Sequence, residues 1–120
     1  MRRKPGTLVP LEQALCVAAA ALRRRGLETF HGFQIAKEIQ DAADTRLLTA
    51  YGTLYRALAR LEGMGLLTSR WEDPQLAADE NRPGRRLYAL TAEGVTTARA
   101  SRDAMARRRP TRGRRRVAPA

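Results

Sequence analysis

The apolar positions near the start of the chain follow a helical period. A proline precedes them, and three arginines and then Gly26 follow them. Proline is favoured at the first position of a helix and glycine just after its end. We therefore predict a first helix that begins at Pro10 and runs to Leu22. Its periodic apolar positions are Leu11, Leu15, Ala18 and Leu22.

This first helix is apolar on nearly every side, unlike a helix with a single buried face. Two interpretations remain open. Either a second apolar face packs against another protein chain, or the helix is central and is covered entirely by its own small domain. The apolar residues outside the periodic set are Ala14, Cys16, Val17, Ala19 and Ala21.

Two more helices are predicted before the middle of the chain. The second begins near Gly32 and ends near Ala42, because apolar residues again recur at helical spacing between them. The third runs from Ala50 to about Met64, with Thr49 as its N-cap. The apolar positions of the second helix are Phe33, Ile35, Ala36 and Ile39.

The third helix has two faces of different character. One face is apolar and is predicted to pack on the core. The opposite face combines small residues with two arginines, so it can approach another surface closely. The apolar face holds Leu54, Ala57, Leu58 and Leu61; the opposite face holds Gly52, Arg56, Ala59, Arg60 and Gly63, flanked by Thr53 and Tyr55.

The second half of the chain predicts a β-hairpin followed by a last helix. The strands cover residues 66–72 and 85–90, joined by a loop of about a dozen residues that contains proline, asparagine and glycine. Thr91 is then the N-cap of a fourth helix, which continues through Met105 until Pro110 stops it.

Three helices followed by a two-stranded hairpin are the element order of a winged helix-turn-helix. The predicted fold class is mainly α with a β-hairpin, comprising a three-helix core, a two-stranded wing and a C-terminal dimerisation helix. In such folds the third helix enters the DNA major groove and the hairpin lies beside it. Modules with this element order also serve as protein-interaction domains, so the order alone leaves both functions open.

The positive charge of the chain is concentrated at its two ends. The net charge is +11, yet the body carries nearly as many acidic as basic residues. We therefore predict a basic N-terminal arm at 1–9, a winged-helix domain at 10–106 and a disordered Arg-rich tail at 107–120. Arginine binds phosphate bidentately, which favours a nucleic-acid partner. A tail that only adds solubility is the alternative.

Four short motifs occur in order within residues 10 to 105. They are HGFQIA at 31–36, GTLYRAL at 52–58 with RLE at 60–62, GLL at 65–67, and RLYALT at 86–91 with EG at 93–94. In this order and spacing they resemble the PadR family of bacterial transcriptional regulators. The chain is similar to the short subgroup, which lacks the additional C-terminal helical domain of the longer members. Arg56 stands where the family often has proline.

The resemblance implies a homodimer that represses nearby genes. The recognition helix is then 50–64, and the first and last helices form the dimer interface. In this family a small molecule can bind near that interface and change the angle between the recognition helices, so an effector is a candidate partner beside double-stranded DNA. The expected interface residues are Leu11, Leu15, Val17, Ala18, Val95, Ala98 and Met105.

The expected DNA contacts lie in the third helix and at the base of the wing. The first turns of a helix favour phosphate through free N–H groups and a positive dipole end. An arginine in this position can bind either guanine or phosphate, and the sequence leaves both open. For Tyr51 and Tyr55, packing at the edge of the core is the alternative to contact with DNA. Acidic residues near the wing tip repel DNA, which favours the base. The expected contacts are Thr49, Tyr51, Gly52, Thr53, Tyr55, Arg56 and Arg60 in the helix, and Arg70, Arg82, Arg85 and Arg86 in the wing.

The sequence contains no evident catalytic site, metal site or cofactor site. Cys16 and His31 are the only residues of their types, and no nucleophile–base pair or metal-ligand cluster is evident. We expect His31 at a helix start, Cys16 as an apolar filler rather than a redox sensor, and Trp71 covering the hairpin rather than lining a ligand pocket between protomers. Without a membrane-spanning run or a secretion signal, a cytoplasmic protein is expected.

Two other functions compete with sequence-specific repression. An architectural protein would coat nucleic acid through its basic ends, with little sequence preference. A protein-interaction module would use the same fold without DNA, and Arg56 and Arg60 would then be dispensable.

Overall fold

The computed structural model describes residues 7–41 and 51–107. Within these ranges the chain forms five helices and one antiparallel pair of strands. This confirms the predicted winged-helix architecture. The elements are α1 (Pro10–Arg24), α2 (Gly32–Asp41), α3 (Tyr51–Gly63), β1 (Leu67–Trp71), α4 (Pro74–Asp79), β2 (Arg86–Leu90) and α5 (Ala92–Arg107).

Helix α1 begins and ends at the signals that the sequence contains. Pro10 occupies the first turn, and the backbone N–H of Val9 donates a 3.0 Å hydrogen bond to Oε1 of Glu12. After the last turn, Gly26 adopts a positive φ of 94°. The N–H of Leu27 then donates back to the carbonyl of Leu22 at 2.9 Å, which satisfies a carbonyl that the helix end leaves free.

Helix α1 is the centre of the core, because α2, α3 and α5 all pack against it. Of the two interpretations of this helix, the central helix covered by its own domain therefore holds for much of the α1 surface. Three residues expected at a dimer interface, Leu15, Ala18 and Ala98, are buried inside the single chain, where α5 lies along α1. The other four expected interface residues, which keep partial exposure, are Leu11, Val17, Val95 and Met105.

The wing is a regular antiparallel hairpin with a short helix in its loop. Leu67 pairs with Leu90 at one end of the ladder, and Trp71 pairs with Arg86 at the other. The predicted irregular loop is wrong in one respect, since it contains α4. The Asp73 carboxylate accepts a 2.9 Å hydrogen bond from the N–H of Gln75, which caps that helix.

The wing is joined to the helical core through Phe30, just before α2. The N–H and carbonyl of Phe30 exchange hydrogen bonds of 2.9 and 2.8 Å with the backbone of Tyr88 on β2. Their rings stack with centroids 5.9 Å apart. The hairpin is thus held beside the start of α2.

The start of α5 confirms the predicted cap. The Thr91 hydroxyl oxygen accepts a 2.9 Å hydrogen bond from the N–H of Gly94 and donates at 2.7 Å to the carbonyl of Gly65. One side chain therefore caps α5 and ties it to the turn between α3 and β1. Within the described ranges, no helix is long and apolar enough to span a membrane.

Candidate nucleic-acid interface

Helix α3 presents one face to the core and one to solvent, as its spacing predicted. Its apolar face is buried. The solvent face is built largely of small residues, which leave the backbone open to close approach, and Tyr55 and Arg56 project from it. Thr49 and the side chain of Tyr51 lie outside the described residues. The exposed residues of α3 are Gly52, Tyr55, Arg56, Ala59 and Gly63, with Thr53 half-buried beside them.

Arg56 is the exposed cation of this face. Its Nη2 donates a 3.2 Å hydrogen bond to Oγ1 of Thr53, one turn earlier on the helix. This contact uses one of the five N–H donors of the guanidinium, so the others can bind a phosphate or a base edge. Arg56 is therefore exposed, with donors available to an outside ligand.

Arg60 lies one turn further along α3 and is half-buried, because two contacts tie its side chain to other parts of the fold. Its Nε lies 2.9 Å from Oε2 of Glu12, a carboxylate that is almost completely buried in α1. Its Nη2 also donates to the carbonyl of Thr7 at 3.4 Å. The sequence grouped Arg56 and Arg60 as DNA contacts. In the structure, Arg60 attaches α3 to the start of α1.

A chain of two hydrogen bonds connects the wing to α3. Nε of Arg86 donates to Oγ of Ser69 at 3.0 Å, and the Ser69 hydroxyl donates to Oε2 of Glu62 at 2.7 Å. The guanidinium of Arg86 also lies 5.2 Å from the centroid of the Trp71 ring. These contacts fix Arg86 in position beside α3.

Arg82 closes the loop of the wing rather than pointing freely outward. It donates to both oxygens of the buried Glu72 carboxylate and, through Nε at 2.7 Å, to Glu80. Glu72 also accepts from the N–H of Arg85 at 2.9 Å. The hydrogen bond from Arg82 is the main reason that the pKa of Glu72 lies below its usual value.

Replacing Arg82 with methionine is expected to destabilise the protein in a pH-dependent way. Because the folded pKa of Glu72 is lowered, its ion pair contributes stability above the unfolded pKa and loses it as the pH falls through the folded value. The melting temperature of Arg82→Met should lie below that of the wild type at neutral pH, and the difference should shrink below about pH 4. Arg70→Met, at an exposed wing arginine, is the control. A difference that persisted unchanged at low pH would contradict this role.

The charges of the wing are unevenly distributed. Arg70 is exposed on β1, and the half-buried Arg85 and Arg86 lie at the β2 side of the hairpin. The segment around α4 exposes the acidic residues Asp79 and Glu80. Phosphate is therefore attracted to the strands and repelled by the α4 segment.

His31 has the structural role predicted for it, at the start of α2. Its Nδ1 accepts a 3.4 Å hydrogen bond from the N–H of Gln34, whose side-chain oxygen accepts one from the N–H of His31 at 3.0 Å. Nδ1 can accept only while it is unprotonated. Burial, and then the charges of Arg85 and Arg82, lower the pKa of His31, which favours this neutral form.

Cys16 is expected to be unreactive in the folded protein. It is fully buried in α1, and burial together with the nearby Glu12 raises its pKa to about 11. Because the thiolate is the reactive form, a thiol reagent at mildly alkaline pH should modify no cysteine until denaturant is added, and then one per chain. Rapid modification of the native protein would contradict this placement.

No candidate metal site is found in residues 7–41 and 51–107. No group of three histidine, cysteine or acidic side chains is arranged there to hold an ion. The arrangement instead offers an exposed helix face that carries Arg56 and a wing with arginines beside it. The elements and their order define the chain as a winged-helix protein.

Comparison with known proteins identifies the family. The model described as "Transcriptional regulator PadR-like family" matches residues 22–100. The chain therefore belongs to the PadR-like family, whose members are DNA-binding transcriptional regulators and not enzymes. No curated protein sequence matches the chain.

Solved structures share the fold at low sequence identity. A transcriptional regulator from Clostridium thermocellum is 19% identical with a TM-score of 0.60, covering 90% of this chain and 95% of its own. A PadR family transcriptional regulator from Eggerthella lenta is 21% identical with a TM-score of 0.55, covering 89% and 87%. Pex from Synechococcus is also 21% identical with a TM-score of 0.55, covering 81% and 83%. At these identities the likeness establishes the fold.

Proposed function

We propose that this protein is a cytoplasmic, homodimeric transcriptional repressor that inserts α3 of each protomer into successive major grooves of a two-fold-related operator. The membership of the PadR-like family supports DNA binding and regulation. Repression follows if the operator overlaps a promoter, because a bound dimer then excludes the transcription machinery.

One observation carries the DNA-binding part of this proposal. The face of α3 that is turned to solvent is rich in small residues and carries Arg56. Beside it, Glu62 of α3 is linked to the wing arginine Arg86 through the Ser69 hydroxyl. A helix face that enters the major groove needs close approach, and flanking cations then bind the phosphates on either side. Arg70 and Arg85 extend this positive edge, whereas Arg60 and Arg82 support the scaffold.

The dimer part of the proposal is supported by a groove between α1 and α5. It has a volume of about 200 Å³ and contains partly exposed apolar residues from both helices, including Val17 and Val95. An apolar face of this kind gains stability when a second copy removes it from water. Arg24, Arg99 and Arg102 also line it, so this groove is our candidate site for an effector at the interface.

Sedimentation of a matched pair of variants tests the dimer. We expect the wild type to sediment as a dimer at micromolar concentration and Val95→Arg to sediment as a monomer, because a further cation would be buried against the partner beside Arg24, Arg99 and Arg102. The neighbouring, exposed Thr96→Arg should remain dimeric. A wild-type monomer at this concentration would reject the homodimer.

A second candidate function is favoured by the charge distribution. Ten of the 23 basic residues lie in 1–4 and 107–116, and these ends alone would give strong, salt-dependent affinity for any nucleic acid. In that case the protein would coat DNA with little sequence preference. The ratio of the affinity for operator DNA to the affinity for a scrambled duplex separates the two functions.

A further inference from the structure

A groove of about 390 Å³ opens between the start of α2, the solvent face of α3 and the wing. This volume lies within the range of roughly 300–1,000 Å³ typical of small-molecule sites. It is separate from the groove between α1 and α5 and shares no residue with it. Its lining includes His31, Phe33, Tyr55, Trp71, Arg85 and Arg86.

Three aromatic side chains of this groove are left in contact with solvent. Phe33 is 61% exposed, Trp71 64% and Tyr55 43%. Large aromatic rings stabilise a protein mainly when they are buried, so none of the three contributes fully to the core. Clustered on one concave surface, they instead form a ready-made surface for stacking a planar ligand.

A glycine at the start of α2 makes room for the Tyr55 ring. A Cβ atom at Gly32 would lie 2.0 Å from the Tyr55 hydroxyl oxygen, so only glycine lets the phenol pack against the start of α2. The Phe33 ring, which lines the same groove, stacks on His31 with centroids 6.5 Å apart. Two of the three aromatic rings therefore pack against residues at the start of α2.

The charge of the groove is positive. Arg85 and Arg86 line it, and none of its lining residues is acidic among those the structure describes. The nearby Glu72 carboxylate is already neutralised by Arg82. Arg86 lies over the Trp71 ring, which places a cation beside the stacking surface.

We propose that this groove binds a nucleobase together with its adjoining phosphate. The base would stack on the exposed rings of Trp71 and Tyr55, and the phosphate would accept hydrogen bonds from Arg85 and Arg86. A planar group with an attached anion matches both the aromatic surface and the positive edge. The source is either a free mononucleotide or an unpaired base in a nucleic-acid strand.

Occupancy of the groove has a consequence for DNA binding that rests on the proposed function. Tyr55 belongs both to this groove and to the face of α3 that we place in the major groove, and Arg86 flanks both. A bound mononucleotide would therefore compete with duplex DNA for these side chains. Binding of the nucleotide itself does not depend on that proposal and is measured without duplex.

Trp71 reports directly on the site, because it is the only tryptophan in the chain. We expect guanosine 5′-monophosphate to quench the Trp71 emission of the full-length protein saturably. Guanosine and inorganic phosphate, each supplying half of the recognised chemistry, should bind at least about tenfold more weakly. Guanosine at equal concentration also corrects for absorption of the exciting light.

Two pairs of variants separate this groove from general attraction to a basic protein. Arg85→Met should weaken binding about tenfold, whereas Arg70→Met, which removes an exposed wing charge outside the groove, should change it less than about twofold. Gly84 lines the groove, and a Cβ there meets nothing within 4 Å, so Gly84→Leu should obstruct binding without straining the fold. Gly63→Leu, also in open space, is its control.

A short single-stranded oligothymidylate distinguishes the two sources. Quenching by the mononucleotide that depends on Arg85 supports a free nucleotide, and quenching by the strand alone, with the same dependence, supports an unpaired base. The proposal is overturned if neither ligand quenches Trp71, or if Arg70→Met weakens binding as much as Arg85→Met. Failure of duplex to bind, with quenching intact, would count against the proposed function and not against this site.

Discussion

Gly94→Ala is expected to lower the melting temperature by roughly 10–20 °C, which corresponds to about 2–3 kcal/mol in a domain of this size. A Cβ atom at this position would lie 2.1 Å from the carbonyl oxygen of Leu66 and 2.8 Å from Cδ2 of Leu90. The Leu66 oxygen cannot easily withdraw, because it accepts a hydrogen bond from the N–H of Thr91 at 3.1 Å. The first turn of α5 must therefore separate from the turn that follows α3.

Thermal unfolding followed by circular dichroism measures this effect. Gly63→Ala is the matched control, since a Cβ there has no neighbour within 4 Å and alanine restricts the unfolded chain more than glycine does. We expect its melting temperature to equal or slightly exceed that of the wild type. If Gly94→Ala melted within a few degrees of the wild type, the close approach of α5 to Leu66 would be wrong.

Arg56→Ala is expected to weaken operator binding about 10- to 100-fold without changing thermal stability. Its guanidinium is exposed on the solvent face of α3, and its hydrogen bond to Thr53, the one it makes within residues 7–41 and 51–107, is also exposed. Arg60→Ala should behave differently and lower stability as well as affinity, because it leaves the buried Glu12 carboxylate without its ion pair to α3.

Fluorescence anisotropy with an operator duplex, together with melting curves, separates these outcomes. Arg23→Ala, at an exposed arginine on α1, controls for the loss of one positive charge and should bind within about twofold of the wild type. An Arg56→Ala variant that bound as tightly as Arg23→Ala would remove α3 from the interface.

The ion pair of Arg60 also connects the helix that we propose for DNA recognition with a helix of the proposed dimer interface. Glu12 lies on α1, the helix at our proposed dimer interface, and Arg60 lies on α3, the proposed recognition helix.

Local signals in the sequence predicted the elements and their faces well. The Thr91 cap, the Gly26 end signal and the buried face of α3 each depend on residues within a few positions of one another. Helix α4 was missed because its proline and the preceding Asp73 were interpreted as loop residues. Asp73 followed by Pro74 is also a helix start, with a capping carboxylate and a proline in the first turn.

The partners of individual arginines could not be predicted, because they lie far away along the chain. Arg60 pairs with Glu12, and the Arg86 side chain reaches Ser69 across the hairpin. Periodicity indicates which face a residue occupies but not which opposite charge the fold brings to it. Arg56 and Arg60 therefore looked equivalent in sequence and differ in the structure.

The expected dimer interface shows the same limit. Helical periodicity identified apolar positions on the first and last helices but could not show that Leu15 and Ala18 are buried within the single chain, in a helix that packs against α2, α3 and α5. Two helices of one chain and two chains of a dimer bury apolar faces by the same physics. Among the expected interface residues, partial exposure in the folded chain now favours Leu11, Val17, Val95 and Met105.

The most direct test of sequence-specific DNA binding is fluorescence anisotropy with the DNA upstream of the protein's own gene and with a scrambled duplex. Both are titrated over a salt series, with the full-length protein and with a variant truncated to residues 1–106. We predict that the truncated protein still prefers the upstream DNA by about a thousandfold or more, because the winged helix reads the sequence. Negligible preference, with an affinity that collapses on removal of the tail and with added salt, would contradict this account and identify a coating protein.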